Sequence, residues 1–169
     1  TLPDRLKNHL NGLPDLVGLF TVLGPGNYTG IRLSLTSIKM LANVFKIPVL
    51  GLSLFDAYIG VNPTKELTLL SSSSRKGWLN IQLFQSSQQS QSPISSINQI
   101  EVSKMDAWLD QFEMPVYWGH FGPFDFPSKH KPRLIKLDIL ATIEHFQSKI
   151  LTSQMTSSLK PIYSYPPVQ

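Results

Sequence analysis

Four histidines, His9, His120, His130 and His145, are the side chains best suited to proton transfer or metal binding near neutral pH. No two of them stand in H-x-x-x-H or H-E-x-x-H spacing, so a helix-borne zinc or iron site has no support. His120 follows a predicted strand and has Asp125 nearby in a loop, which makes these two the best acid–base candidates; the plainer reading is a hydrogen-bonded surface histidine. His145 beside Glu144 reads as part of a solvated helix face. Asp106 and Asp110 lie one helical turn apart, a spacing common on exposed helices. Ser34 and Ser37 have no base within sequence reach, and the run Ser71 to Ser74 is followed only by Arg75 and Lys76. The chain has no cysteine, which excludes disulfides, thiolate metal sites and cysteine nucleophiles. The residue types therefore point away from catalysis and from any resident metal or cofactor.

Anion binding is the other chemistry on offer. Gly24-Pro25-Gly26-Asn27-Tyr28-Thr29-Gly30 places three glycines within seven residues, between an apolar run and a helical stretch. Such a turn can expose backbone N–H groups at a helix N-terminus, a competent place for an anion. It is not a Walker loop, since no Gly-Lys-Ser/Thr follows, and it lacks both G-x-G-x-x-G and G-x-S-x-G spacing. The plainer reading is a strand-to-helix corner with Thr29 as N-cap. Lys129-His130-Lys131-Pro132-Arg133, near Phe121, Phe124 and Phe126, mixes basic and aromatic groups that could touch RNA through phosphates and stacking. A solvated basic loop packed by its own aromatics explains them as well, so a nucleic acid enters only as an indirect partner. Asn27-Tyr28-Thr29 matches a glycosylation acceptor but carries no weight without a secretory signal.

These residues need elements to hold them. Leu2, Leu6 and Leu10 recur every four residues, the mark of a helix tail over residues 3–10 that Asn11-Gly12 stops. The apolar run from Leu16 to Leu23 suits a strand buried on both faces. A helix follows from Gly30 to Lys46, ended by Ile47-Pro48, because proline keeps its predecessor out of the α region. Val49 to Leu52 is a second strand and Leu54 to Ile59 a second helix, an order that signals an α/β domain. Strands are expected over 67–70, 79–84 and 116–118, helices over 105–112 and 134–151, and an exposed Ser/Gln loop at 85–99. The last helix would turn Leu137, Leu140, Ala141 and Ile150 to one side. The tail over 160–167 is extended.

The first long helix carries more apolar surface than a single core contact requires. Ile31, Leu35, Ile38, Leu41, Ala42 and Phe45 share one broad face, and Arg32, Thr36, Lys39 and Asn43 form a polar one. A second stripe remains in Leu33, Met40 and Val44, with Ser37 between them. Its 33, 37, 40, 44 spacing suits helices that cross at a shallow angle. Either this helix is sandwiched inside the domain, or the second stripe meets another chain.

Composition supports a partner-bound globular protein. Charged residues make up 15%, against roughly 25% in an ordinary soluble domain, and part of so weakly charged a surface is expected to be covered. The net charge of +4 is too small to demand a nucleic-acid partner. No apolar run reaches the ~18–20 residues of a membrane span. Thr1-Leu2-Pro3-Asp4-Arg5 is no signal peptide, so the expected location is cytoplasmic, with no membrane partner. The chain also opens without methionine, as though an upstream segment were missing.

The segment Gly24-Pro25-Gly26-Asn27-Tyr28-Thr29-Gly30-Ile31-Arg32 resembles the TsaB family. Lys39, Leu41-Ala42 and Ile47-Pro48-Val49-Leu50-Gly51-Leu52-Ser53 continue the likeness in register. The match covers residues 16–57. Weaker echoes are Ser73-Ser74-Arg75, where the family has Asp-Ala-Arg, Trp118-Gly119-His120, where it has a strand ending in Gly-Asp, and Pro161-Ile162-Tyr163. The resemblance implies an α/β fold of the actin-like ATPase and sugar-kinase (ribonuclease H-like) superfamily, with two lobes. Residues 1–60 would be the remainder of an N-terminal lobe, incomplete at its start and carrying the turn and the partner helix; residues 61–169 would form the C-terminal lobe. It also implies a non-catalytic dimerisation subunit for tRNA N6-threonylcarbamoyladenosine modification. Its partner would be the catalytic TsaD-like subunit, with a TsaE-like ATPase as a further partner and a homodimer when alone. Leu33, Ser37, Met40 and Val44, with Leu6 and Leu10, are our candidate contact residues, chosen from periodicity. The family's strand-rich opening with Asp-Thr-Ser is absent before Thr1, and its second-lobe Asp and Glu are Ser73 and Trp78 here; if the family fold holds, the chain would be a truncated, divergent member. The alternative is a degenerate relative with another protein partner or weak hydrolase activity.

Overall fold

A computed structural model describes residues 16–63, 67–86, 91–152 and 159–162. The helix tail expected over 3–10, with Leu6, His9 and Leu10, lies outside the described residues, as does the chain beyond Ile162.

The first unit is strand, helix, strand. Leu19–Val22 (β1) and Val49–Leu52 (β2) pair in parallel, Leu19 beside Val49 and Val22 beside Leu52. Parallel neighbours need a crossover, and Tyr28–Phe45 (α1) supplies it. Ile31, Leu35 and Ala42 of α1 bury against Val49 and Leu159, flanked by Leu19, Leu23 and Ile38. The broad apolar face read from the sequence is the one that packs. Two boundaries differ from expectation. The helix begins at Tyr28 because Asn27, not Thr29, is the N-cap: its side chain accepts a hydrogen bond from the Gly30 N–H at 3.1 Å. It ends at Phe45 because Lys46 turns left-handed (φ 55°) and still donates its N–H to the Ala42 carbonyl. β1 is also not buried on both faces. Within β1 only Thr21 is buried, and Val17 just before it is 58% exposed; among the described residues this sheet has two strands, and α1 covers one side of it.

Among the described residues the second sheet has six strands. Leu67–Ser73 (β3), Trp78–Ser86 (β4), Gln91–Pro93 (β5), Asn98–Glu101 (β6), Val116–Phe121 (β7) and Arg133–Ile135 (β8) run in the order β5-β4-β3-β7-β8, with β6 also on β4. β3 and β4 are antiparallel, while β3–β7 and β7–β8 are parallel. The alternation of a strand sends Leu70 and Phe84 toward Leu54–Val61 (α2), where they meet Phe55, Tyr58 and Ile59. Leu69, Leu79, Ile81, Leu83 and Trp118 face the other way, toward Val102, Met105 and Leu109 of Val102–Leu109 (α3). Ser53 starts α2 with a reciprocal cap: its hydroxyl oxygen accepts from the Asp56 N–H at 2.9 Å and its O–H donates to the Asp56 carboxylate at 2.6 Å.

Three expectations fail here, each because strand pairing overrides local composition. The serines at 71–73 belong to β3, where Ser71 and Ser72 are buried. The Ser/Gln stretch at 85–99 is not a single exposed loop: β4 runs on to Ser86, and β5 and β6 both pair with β4. The helix expected from Leu134 is β8 over 133–135, with Leu134 beside His120, and the helix proper is Ile139–Thr152 (α4). Its buried side is Thr142, Phe146 and Ile150, and Leu140 is 74% exposed rather than inward. α4 lies against α2 and also reaches β1 and β2, so it ties the two sheets together. Gly60 and Gly18 permit this, for an added Cβ would stand 2.4 Å from the Phe146 ring and 2.5 Å from Ile150 respectively.

Candidate functional site

The glycine turn folds as a corner held on three sides. The Gly24 carbonyl accepts from the Leu54 N–H at 2.7 Å, and the Leu23 carbonyl accepts from the Ile162 N–H at 2.8 Å. Gly24 sits at φ 115°, and a Cβ there would lie 2.5 Å from the Ile162 carbonyl oxygen and 2.9 Å from Ile31 Cδ1. Glycine is required on both counts. Gly24 and Pro25 are buried, and the turn is exposed from Gly26 to Gly30. Just beyond, the Arg32 guanidinium donates to the Tyr28 hydroxyl at 2.8 Å and lies 5.3 Å from that ring, an i,i+4 pair on the first turn of α1. The turn thus fixes the start and direction of α1.

What α1 then presents is its second stripe. Leu33 is 64% exposed, Val44 49%, Ser37 is exposed and Met40 half-buried. The reading in which this helix is sandwiched inside its own domain is therefore corrected: one face packs on the β1–β2 sheet and the apolar stripe points outward. Arg32, Thr36 and Asn43 are exposed alongside it, so an apolar band is rimmed by polar groups, the texture of a contact surface.

The catalytic candidates behave differently. His120 does not join Asp125, which is exposed; it turns inward to Ser71, with 2.8 Å between its Nδ1 and Ser71 Oγ. The Trp118 indole donates to the same Oγ at 2.7 Å, and Ser73 Oγ is 3.5 Å from His120 Nε2. Burial holds the His120 pKa below its ordinary value, opposed by a hydrogen bond with the Pro123 backbone, so the ring is neutral at pH 7. A serine against a histidine has the outline of a nucleophile and its base. Yet both residues have no exposed surface, and Phe124 packs edge-on to both Trp118 and His120. The cluster satisfies buried polar groups in the sheet and offers no approach to a substrate. Sequence reasoning missed the pairing because its members lie 49 positions apart; the one available signal was that Ser71 of β3 and His120 of β7 are polar residues on otherwise largely apolar strand faces.

Asp106 and Asp110 are likewise not a plain solvated pair. Asp106 accepts from the Lys129 N–H at 2.7 Å, the Ser128 hydroxyl at 2.6 Å and the His130 N–H at 3.2 Å, and these bonds, with that from the Lys129 backbone foremost, lower its pKa to about 2. Asp110 holds Lys129 Nζ at 2.9 Å and His130 Nε2 at 2.8 Å, and its pKa is lowered for the same kind of reason, the Lys129 side chain first. Together they clasp the basic loop to α3. Phe124 and Phe126 pack against the α3 core, and Phe121 stacks on Phe55, so these aromatics do not form a stacking platform for bases. His145 is exposed and Glu144 with it. Among the described residues no three His, Asp or Glu side chains converge as metal ligands, and no helix is long and apolar enough to cross a membrane.

No family model matches the chain, and no curated protein matches it. Solved structures do. An uncharacterized protein with similarity to peptidase YeaZ, from Pseudomonas aeruginosa, superposes with a TM-score of 0.62 at 15% identity, over 97% of this chain and 82% of that one. YeaZ from Pseudomonas aeruginosa gives a TM-score of 0.58 at 15% identity, over 96% and 83%. The likeness is one of fold: the chain has the mixed α/β fold of these YeaZ structures.

Proposed function

We propose that the chain is a TsaB-like, non-catalytic subunit. Its outward α1 face pairs with a TsaD-like catalytic subunit and supports it in tRNA N6-threonylcarbamoyladenosine modification. The observation that carries this reading is the exposed stripe of Leu33, Ser37, Met40 and Val44 on a helix whose opposite face is already buried. The YeaZ-like fold and the Gly24–Gly30 resemblance support it. The helix starts from a corner that tolerates no side chain at Gly24, which sets the direction in which the face points. tRNA is contacted indirectly, through the partner. A TsaE-like ATPase can join the assembly, the stripe can pair with a second copy when the partner is absent, and the setting is the cytoplasm. Co-expression with the TsaD-like subunit of the same organism tests the reading, with size-exclusion chromatography and mass detection as the readout. A one-to-one complex that Val44→Asp abolishes is expected, because a carboxylate buried at an interface without a partner is costly. A wild-type chain that stays separate from that subunit overturns it.

A second reading, a residual hydrolase, draws on the Ser71–His120 contact of 2.8 Å. Turnover of a threonylcarbamoyl donor by the purified chain, lost in Ser71→Ala, would favour it. The complete burial of both residues favours the scaffold.

A further inference from the structure

A recess of about 450 Å³ opens where α2, β7 and β8 meet, within the ~300–1,000 Å³ typical of small-molecule sites. Its polar lining is Tyr58, Asn62, Tyr117, Arg133 and Lys136. The strand register explains the grouping. Gly119 pairs with Arg133 and Phe121 with Ile135, so period-2 alternation puts Tyr117, Arg133 and Ile135 on the sheet face that α2 covers. α2 ends at Val61 and leaves the Arg133 end of β8 open.

Among the described residues, every charged side chain that lines the recess is positive. Arg133 and Lys136 are both exposed, and neither has a carboxylate within ion-pair distance among the described residues. Lys129 and His130, a few residues earlier, are already held by Asp110, so the recess cations are the uncommitted part of this basic stretch. A third donor comes from the tyrosines. Tyr58 is buried, and burial first, with the neighbouring Tyr117 hydroxyl second, pushes its pKa up to about 12, so its phenol stays protonated. Tyr117 lines the recess beside it, and its O–H is a further donor. Two cations and one O–H thus border a cavity with no acidic lining residue among the described residues.

We infer that this recess binds the phosphate group of a small molecule, with Arg133 and Lys136 on its oxygens and the Tyr117 hydroxyl as a further donor. A phosphate carries close to two negative charges near pH 7, which matches the two cations; a single carboxylate would leave one unmatched. The inference is independent of the α1 reading, because none of these residues belongs to α1.

Isothermal titration of the full chain with inorganic phosphate, adenosine monophosphate and acetate tests it. Arg133→Gln, Lys136→Gln and Tyr117→Phe are the site variants, and Lys76→Gln, an exposed lysine on the β3–β4 turn, is the charge-matched control. Saturable phosphate binding is expected. It should weaken on the order of tenfold or more in Arg133→Gln, the scale of a lost hydrogen bond to a charged group, weaken severalfold in Tyr117→Phe, and stay unchanged in Lys76→Gln. Tighter binding of the nucleotide than of inorganic phosphate identifies a phosphorylated small molecule as the ligand; equal binding identifies phosphate itself. Non-saturating heats, an equal loss in Lys76→Gln, or acetate binding as tightly as phosphate overturns the inference. Thermal melts of the three site variants should match the wild type, since Arg133 and Lys136 are exposed and phenylalanine keeps the Tyr117 ring.

Discussion

Gly60 lies where α2 crosses α4, and a single methyl group placed there tests how the two sheets are joined. In Gly60→Ala the new Cβ would stand 2.4 Å from Phe146 Cζ and 2.8 Å from its Cε2. Phe146 is 6% exposed, so its ring has little room to swing aside. Overpacking of this kind costs about 1–3 kcal/mol. Replacing a helical glycine by alanine recovers ~1 kcal/mol of backbone propensity, which leaves a net loss of about 1 kcal/mol. That value alone proves little, so the informative quantity is the coupling to Phe146. Phe146→Leu removes both offending ring atoms, and alanine at position 60 should then stabilise the protein rather than destabilise it. The double-mutant cycle, read from urea unfolding followed by circular dichroism, should show a favourable interaction of about 1–3 kcal/mol. Additivity to within about 0.5 kcal/mol would refute the packing of α4 across α2, and with it the link between the sheets.

Other perturbations report on single features. Gly24→Ala should destabilise by about 1–3 kcal/mol, since it combines a left-handed backbone with a close carbonyl, and thermal unfolding measures the loss. Ser71→Ala should cost about 1–3 kcal/mol by depriving the buried Trp118 indole of its acceptor, with a shift in tryptophan fluorescence. His120 has a folded pKa below its unfolded value, so the unfolded chain takes up the proton first. Its contribution is complete above about pH 6.5 and is lost as the pH falls further; His120→Asn should flatten that slope in a pH series of urea midpoints. Asp106, at about 2 against an ordinary 3.8, works in the same sense at lower pH. Its contribution is present above pH 4 and disappears toward pH 2, a dependence that Asp106→Asn should remove.

Much of the first unit was legible because local signals and tertiary packing agree there. The α1 face of Ile31, Leu35 and Ala42 is both the most periodic and the one that buries, and Ile47-Pro48 keeps the chain out of the helix before β2. The cap was misplaced, since Asn27 and Thr29 are both competent and spacing alone does not choose between them, and β1 is less buried than its apolar run suggested. The second sheet was harder. Ser71 and Ser72 look like loop residues, yet their strand is fixed by pairing with Ile81, Asn80, His120 and Phe121, contacts 8 to 49 positions away in sequence. Leu134 to Leu137 carries a helical density of leucines but joins β7 as an edge strand first. The candidate site divides in the same way. The α1 stripe could be read from its spacing, whereas the Asp106–Asp110 clasp and the Tyr58–Tyr117–Arg133 recess could not, because each is assembled by strand register and loop return.

The scaffold role stands or falls on the outward stripe of α1. Titration calorimetry of the purified TsaD-like subunit into the full chain, wild type against Leu33→Asp and Val44→Asp, addresses it directly. Both positions are exposed, so melting temperatures should stay within a few degrees of the wild type. The expected result is one-to-one binding by the wild type and a loss of at least a hundredfold, about 3 kcal/mol, in each variant. Binding that survives both substitutions would place the contact elsewhere on the molecule. A wild type that does not bind would contradict the TsaB-like role itself.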